Sequence, residues 1–94
     1  MYSMKDYRAA LNERDSYDID SSAWKLGQMK VNSIVTAMVV SGNNRMVNEV
    51  VDEVYNLNDC GFEFEDAAVQ FDIWLLESNG YGEKAQELRE LDWR

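Results

Sequence analysis

The sequence predicts an all-α fold, a small single-domain bundle of four to five short helices around a central apolar helix. The chain contains no proline, the residue that most strongly interrupts helices. Apolar residues recur at spacings of three and four along most of its length. The stretch 23–40 is apolar on nearly all sides, as a buried helix is. At 94 residues the chain has room for one domain, so 1–94 is assigned to a single helical domain.

The first predicted helix spans 3–14. Ser3 is placed to cap it, and Asp6 follows three residues later as a weak form of the capping box. An apolar stripe is expected to face the core: Met4, Tyr7, Ala10 and Leu11. The charged residues of this helix, Arg14 among them, are expected to face water.

The second predicted helix is the central one, at 23–40, and it follows a connection of turn-forming and cap-forming residues at 15–22. Two apolar side chains of that connection are expected to tuck against the core: Tyr17 and Ile19. Six of the ten residues in 31–40 are β-branched, which leaves an α+β alternative with a strand there. Helix is favoured because no second strand of similar strength exists to pair with it. Gly42 is predicted to take the left-handed conformation after the helix.

Three further helices complete the predicted bundle. The third, 44–57, has the clearest amphipathic pattern, with valines on one side and acids on the other: Glu49, Asp52 and Glu53. The fourth, 65–79, has acidic residues at its positive N-terminal end and Gly80 as its stop. The fifth, 82–91, is short.

The net charge of −9 comes from one contiguous block of the chain. Residues 46–83 contain ten acidic residues and no basic residue, whereas the segments on either side are close to balanced. Nucleic acid and anionic membrane surfaces repel such a protein, so neither is an expected partner. The expected partner is a basic protein, for example a nucleic-acid-binding enzyme or complex.

No catalytic site, metal site or cofactor is expected. The sequence has no histidine, which removes the commonest general base and metal ligand. The acids of the DSYDID loop lack the spacing of a helix-loop-helix calcium site. Cys60 lies among acidic residues and has no histidine to activate it. The single cysteine and the charged N-terminus favour a reducing, cytoplasmic location, and the protein is predicted not to be an enzyme.

These observations favour a small acidic, non-catalytic inhibitor that presents a negative, nucleic-acid-mimicking face to a basic protein surface. Its carboxylates would replace phosphates in charge-assisted hydrogen bonds to arginine and lysine. Seven residues are predicted to bind the partner: Glu49, Asp52, Glu53, Asp59, Glu63, Glu65 and Asp66. In charge and size, though in no motif, the chain resembles the small acidic inhibitors with which phages and other mobile elements block host defence or transcription enzymes.

An alternative function rests on the apolar faces of 23–40 and 65–79. These faces would form a homodimer interface, and the protein would be a self-associating helical adaptor or a module that sequesters a small ligand. The acidic residues would then only keep the assembly soluble. The first hypothesis predicts that charge reversal abolishes function, and the alternative predicts that polar substitution of exposed apolar residues does so.

Overall fold

A computed structural model describes residues 2–41 and 43–93 and shows an all-α fold. Five helices follow one another: α1 (Met4–Asp15), α2 (Ser22–Val40), α3 (Asn44–Asp59), α4 (Ala67–Ser78) and α5 (Gly82–Arg89). The segment 31–40 lies within α2 and no strand occurs in the described residues, so the α+β alternative is wrong. The prediction for Gly42 lies outside the described residues.

Local signals in the sequence set the helix ends. The backbone N–H of Ser3 donates to the Asp6 carboxylate at 2.9 Å, as the capping pattern predicts. The Ser21 hydroxyl accepts a hydrogen bond from the backbone N–H of Trp24 at 3.1 Å and caps α2. Gly80 follows the C-cap of α4 with φ +90°, a left-handed conformation that glycine adopts without strain.

Helix α2 is the central helix and packs against α1, α3 and α4. Helix α5 packs instead against α3 and α4. All five helices contribute buried apolar side chains to one core, among them Leu11, Val31, Val35, Met38, Val47, Val54, Ile73, Leu76 and Leu88. Consecutive helices are neighbours in space, as the short connections predict.

Helices α1 and α2 lie in close contact at Gly27. A Cβ atom at this position would lie 2.9 Å from both the Cα and the Cβ of Arg14. Because backbone cannot yield as a flexible side-chain end can, only glycine fits this crossing without a shift of the helices.

The prediction that α2 is buried on nearly all sides is wrong. Leu26, Met29 and Val40 are between 59% and 66% exposed, because the three neighbouring helices cover one side of α2 only. The expected packing of the α1–α2 connection is also wrong. Tyr17 and Ile19 are exposed, since the helices already fill the core beneath them.

Candidate functional site: an acidic groove

An acidic groove of about 620 Å³ lies between the α1–α2 connection and the α3–α4 connection. Five carboxylates line it: Asp15, Asp20, Glu63, Glu65 and Asp66. One guanidinium, that of Arg14, lies among them. The remaining lining is apolar: Ile19, Trp24, Phe62 and Ala67. The groove therefore combines a strong negative charge with apolar surface.

The wall from the α3–α4 connection is fixed by the way α3 ends. Gly61 has φ +88°, its N–H donates to the carbonyl of Asn58, and the N–H of Phe62 donates to the carbonyl of Leu57, both at 3.0 Å. These two bonds form a Schellman motif, which satisfies the last carbonyls of the helix and turns the chain back sharply. Phe62 is thereby placed at the groove.

The same wall is supported from behind by the C-terminal segment. The sequence alternates here, so that Glu63 and Glu65 line the groove whereas Phe64 packs against Trp93, with ring centroids 5.7 Å apart. The indole Nε1 of Trp93 donates to the carbonyl of Leu88 at 2.8 Å. The aromatic pair holds the acidic segment in place.

The opposite wall is a tight turn between α1 and α2. The N–H of Ser21 donates to the carbonyl of Asp18 at 3.0 Å, and Asp20 has φ +65°. Asp20 is the one non-glycine residue with positive φ among the described residues. Aspartate tolerates this conformation better than most residues do, at some cost in strain. The turn leaves Ile19 78% exposed at the groove.

Arg14 joins the two walls. Its Nε donates to Asp15 at 2.8 Å, and its two terminal nitrogens donate to Asp66, each at 3.1 Å. One of them also donates to the Gln28 side chain at 2.6 Å, and the guanidinium lies 4.7 Å from the ring centroid of Trp24. Because every nitrogen is engaged, the guanidinium is not free to bind an anion in the groove.

The burial of Arg14 corrects a sequence prediction. Its side chain is 2% exposed rather than facing water, because the carboxylates of Asp15 and Asp66 neutralise it. Burial by itself lowers the pKa of Arg14, because it disfavours the charged form. The hydrogen bonds to Asp66 and Asp15 outweigh this effect, so the pKa of Arg14 is raised. Asp66 is fixed in turn, since it also accepts the N–H of Ala68 as the N-cap of α4.

Three of the lining carboxylates are left without a partner. Within residues 2–41 and 43–93, the side chains of Asp20, Glu63 and Glu65 make neither a hydrogen bond nor an ion pair. Such carboxylates beside apolar surface suit a lysine or arginine side chain, whose aliphatic stem packs on apolar groups while its charge meets oxygen.

Of the seven residues predicted to bind a partner, three come together at the groove: Glu63, Glu65 and Asp66. Asp52 and Asp59 lie exposed on α3, and neither lines the groove. Glu49 is partly exposed and lies 3.8 Å from Arg45, beside a separate groove of about 400 Å³ that Met46 also lines. The acidic block therefore does not converge on one face.

Glu53 was predicted to lie on the solvated face of α3, and this prediction is wrong. The side chain is 2% exposed, and its Oε2 accepts hydrogen bonds from Nε and a terminal nitrogen of Arg8, at 2.9 and 2.7 Å. Arg8 reaches over from α1 and pairs with the carboxylate, so Glu53 is not available to a partner as a free charge.

Asp15 and Asp20 are groove residues that the sequence did not reveal. The sequence predicts a connection of turn-forming and cap-forming residues here, and the spacing of its acids does not match a helix-loop-helix calcium site. Their role depends on the proximity of a second connection more than forty residues away in the chain. No linear signal in a single sequence reports that proximity.

A second polar site lies in the core, away from the groove. The Tyr7 hydroxyl donates to Oδ2 of Asp72 at 2.7 Å, whereas Oδ1 of Asp72 has no partner among the described residues. Burial raises the pKa of Asp72 to about 8, the charges of Glu53 and Asp66 add to this, and the bond from Tyr7 opposes it. Asp72 is therefore mostly a neutral carboxylic acid at pH 7.

Neither a metal site within the described residues nor a match to a known protein is found. In the described residues no group of three or more cysteine or acidic side chains is arranged to hold a metal ion, and no helix is long and apolar enough to cross a membrane. No protein-family model, curated protein or solved structure matches the sequence or the fold. The geometry of the groove is what supports a function.

Proposed function

We propose that this protein is a non-catalytic inhibitor that binds a basic, nucleic-acid-binding protein through its acidic groove. The observation that carries the proposal is the group of three unpartnered carboxylates beside apolar surface: Asp20, Glu63 and Glu65. Ordinary surface acids are interspersed with bases, whereas the block 46–83 contains none.

The partner would insert lysine or arginine side chains from its nucleic-acid-binding surface into the groove. The aliphatic part of each side chain would pack against Trp24 and Phe62, and the cationic end would bond to the carboxylates. The carboxylates would occupy the positions that phosphates take in the partner's nucleic-acid complex. Nucleic acid and this protein would then compete for one surface.

Acidic residues outside the groove would contribute mainly to the rate of association. Exposed side chains such as Asp52 and Asp59 extend the negative field beyond the groove. A field of this kind attracts a basic partner and speeds encounter, and salt screens it over about 8–10 Å. Host defence and transcription enzymes are the partners we favour, by analogy of charge and size with the small acidic inhibitors that phages and mobile elements carry.

Affinity capture from a host lysate with two charge-matched variants tests this proposal. Glu63→Lys/Glu65→Lys reverses two groove charges, and Asp52→Lys/Asp59→Lys reverses two charges on α3. All four side chains are exposed and unpaired in the described residues, so both variants should fold. We expect wild type and the α3 variant to retain a basic nucleic-acid-binding protein at about 0.05 M salt and the groove variant to lose it.

Two further observations complete this test. At about 0.5 M salt the captured protein should be released, and excess duplex DNA or RNA should displace it at low salt. Equal capture by the groove variant and the α3 variant would contradict the role of the groove. A captured partner that nucleic acid does not displace would contradict inhibition by mimicry.

A further inference from the structure

The outward side of α2 carries a continuous stripe that no other helix covers. We call Leu26, Met29, Ser33, Ala37 and Val40 the α2 stripe; all five side chains are exposed. Their spacings of three, four, four and three place them on one side of the helix over about 21 Å. Four of the five are apolar, which is unusual for a helix face in water.

Apolar surface continues past both ends of the α2 stripe. Near Leu26 a shallow groove of about 290 Å³ is lined by Tyr17 and Ala23, among others. Near Ala37 a second groove of about 360 Å³ is lined by Tyr2 and Met38, among others. Tyr2 and Tyr17 are both exposed and add aromatic surface, a type of side chain that is enriched in protein interfaces.

The hydroxyl groups on this side of α2 already have acceptors in the backbone of the same helix. The hydroxyls of Ser33, Thr36 and Ser41 donate to the backbone carbonyls of Met29, Asn32 and Met38, at 2.9, 2.6 and 2.8 Å. Burying a hydroxyl away from water costs free energy when the hydroxyl is left without a hydrogen-bond partner. These hydroxyls keep theirs, so the α2 stripe can be covered at little cost.

The charge on this side of α2 points to the kind of partner. Helix α2 is the one helix of the five without an acidic residue, and its charged residues are Lys25 and Lys30. Lys30 already pairs with Glu13 of α1 at 3.4 Å. The acidic block 46–83 lies outside α2. Two copies that meet at α2 therefore keep their two acidic blocks out of the interface, which limits repulsion between chains that each carry a net charge of −9.

We propose that two copies of this chain pack through the α2 stripe in antiparallel orientation, about a twofold axis at Ser33. The spacings of the stripe read the same in both directions, so Leu26 lies opposite Val40 of the partner and Met29 opposite Ala37 of the partner. Such a self-complementary patch is what a twofold dimer requires. The small side chains at positions 33 and 37 allow close approach of the two helices.

The same register keeps the like charges of the two copies apart. Lys30 lies opposite Thr36 of the partner and Lys25 opposite Ser41 of the partner, so no lysine meets a lysine. A parallel arrangement would instead place each lysine beside the same lysine of the partner. Antiparallel packing is therefore the favoured orientation.

The dimer leaves the acidic groove open. Trp24, which lines the groove, lies two residues before Leu26 and so on roughly the opposite side of α2. Each dimer would present two grooves, and a partner with two basic sites would bind with increased avidity. The dimer does not depend on the function proposed for the groove.

Sedimentation of the full chain against concentration tests the dimer. We expect wild type to change from monomer to dimer as its concentration rises, with a midpoint below about 100 µM and little dependence on salt. Met29→Glu buries a carboxylate at the twofold interface and should weaken association at least about tenfold. Asn12→Glu adds the same charge at an exposed site on α1 and should leave association unchanged. Circular dichroism checks that both variants fold.

A compensating substitution tests the orientation. Ala37→Lys alone should also weaken association. The double variant Met29→Glu/Ala37→Lys should restore it, because the carboxylate at position 29 of each copy then faces the ammonium at position 37 of the other, which gives two ion pairs. In a parallel dimer like charges would meet and the double variant would be weaker still. Three results would each overturn the proposal: a monomeric wild type, dimerisation that Met29→Glu does not weaken, and a double variant that does not recover association. A monomeric wild type would indicate that a different protein binds the α2 stripe.

Discussion

Two buried polar sites tie α1 to the rest of the bundle, and they handle charge in opposite ways. At Arg14 the charge is kept, because two carboxylates and an amide engage every nitrogen of the guanidinium. At Asp72 the charge is removed, because burial without a base favours the protonated acid, and one oxygen has no partner among the described residues.

The difference separates a site that forms part of the proposed binding groove from a site that affects stability. A buried charge is tolerated when it is paired and hydrogen-bonded. Asp15 and Asp66 line the edge of the groove and at the same time hold Arg14 in ion pairs. Asp72 is enclosed by core, pairs with Tyr7 and faces no ligand, so it affects stability and its dependence on pH.

The largest expected effect is a pH dependence of stability that belongs to Asp72. Between about pH 4 and about pH 8 the folded protein holds this proton and the unfolded chain does not, so the free energy of unfolding falls as pH rises and levels off above pH 8. The slope should reach about 1.4 kcal/mol per pH unit. Urea titrations from pH 4 to pH 9 measure it.

Asp72→Asn is the control for this prediction. Asparagine is neutral at every pH and nearly the same size, so the variant should match wild type near pH 4 and exceed its stability at pH 8. If wild type and variant show the same pH profile, Asp72 is not the group that titrates.

Arg14→Ala should be the most destabilising substitution at the groove, with a loss of about 3 kcal/mol. It removes the hydrogen bonds from the guanidinium to Asp66 and Gln28 and the contact with Trp24. Asp66 is 21% exposed, so water relieves part of the penalty. Arg14→Lys keeps the charge but loses the planar fork, and should lie between wild type and Arg14→Ala. A loss below about 1 kcal/mol for Arg14→Ala in urea denaturation would contradict a structural role.

Gly27→Ala acts on the same site through the backbone. The added Cβ would overlap the Cα of Arg14, so α1 and α2 must separate, at a cost of about 1–3 kcal/mol. Gly82→Ala is the matched control, because a Cβ there meets no atom within 4 Å. Alanine favours helix over glycine, so the control should be neutral or slightly more stable. Thermal unfolding of both variants distinguishes steric overlap from helix propensity.

The sequence predicts the helices well because their signals are local. The Ser3–Asp6 cap, the absence of proline and the stop at Gly80 each act within a few residues. Apolar spacing also identifies α2 as the central helix, although it does not show how many sides of α2 other helices cover.

The polar sites were not predicted because they depend on pairs that are distant in the chain. Arg8 and Glu53 are 45 positions apart, and Arg14 and Asp66 are 52 apart. On a helix diagram Arg14 and Glu53 belong to solvated faces, and only a partner of opposite charge on another element allows their burial. Part of the groove could be predicted from the acidic block, but its second wall could not.

The smallest expected effect concerns Asp20, the strained residue on that second wall. Asp20→Gly should stabilise the fold by about 0.5 kcal/mol. Glycine removes the strain of the positive φ, and this gain slightly exceeds the free-energy cost of the larger entropy that glycine gives the unfolded chain. Asp20→Asn tolerates the same conformation and should leave stability unchanged. Both remove one groove carboxylate, so both should weaken partner capture equally while they differ in stability. Undiminished capture by both variants would mean that Asp20 serves the turn alone; loss with glycine only would assign the effect to loop flexibility.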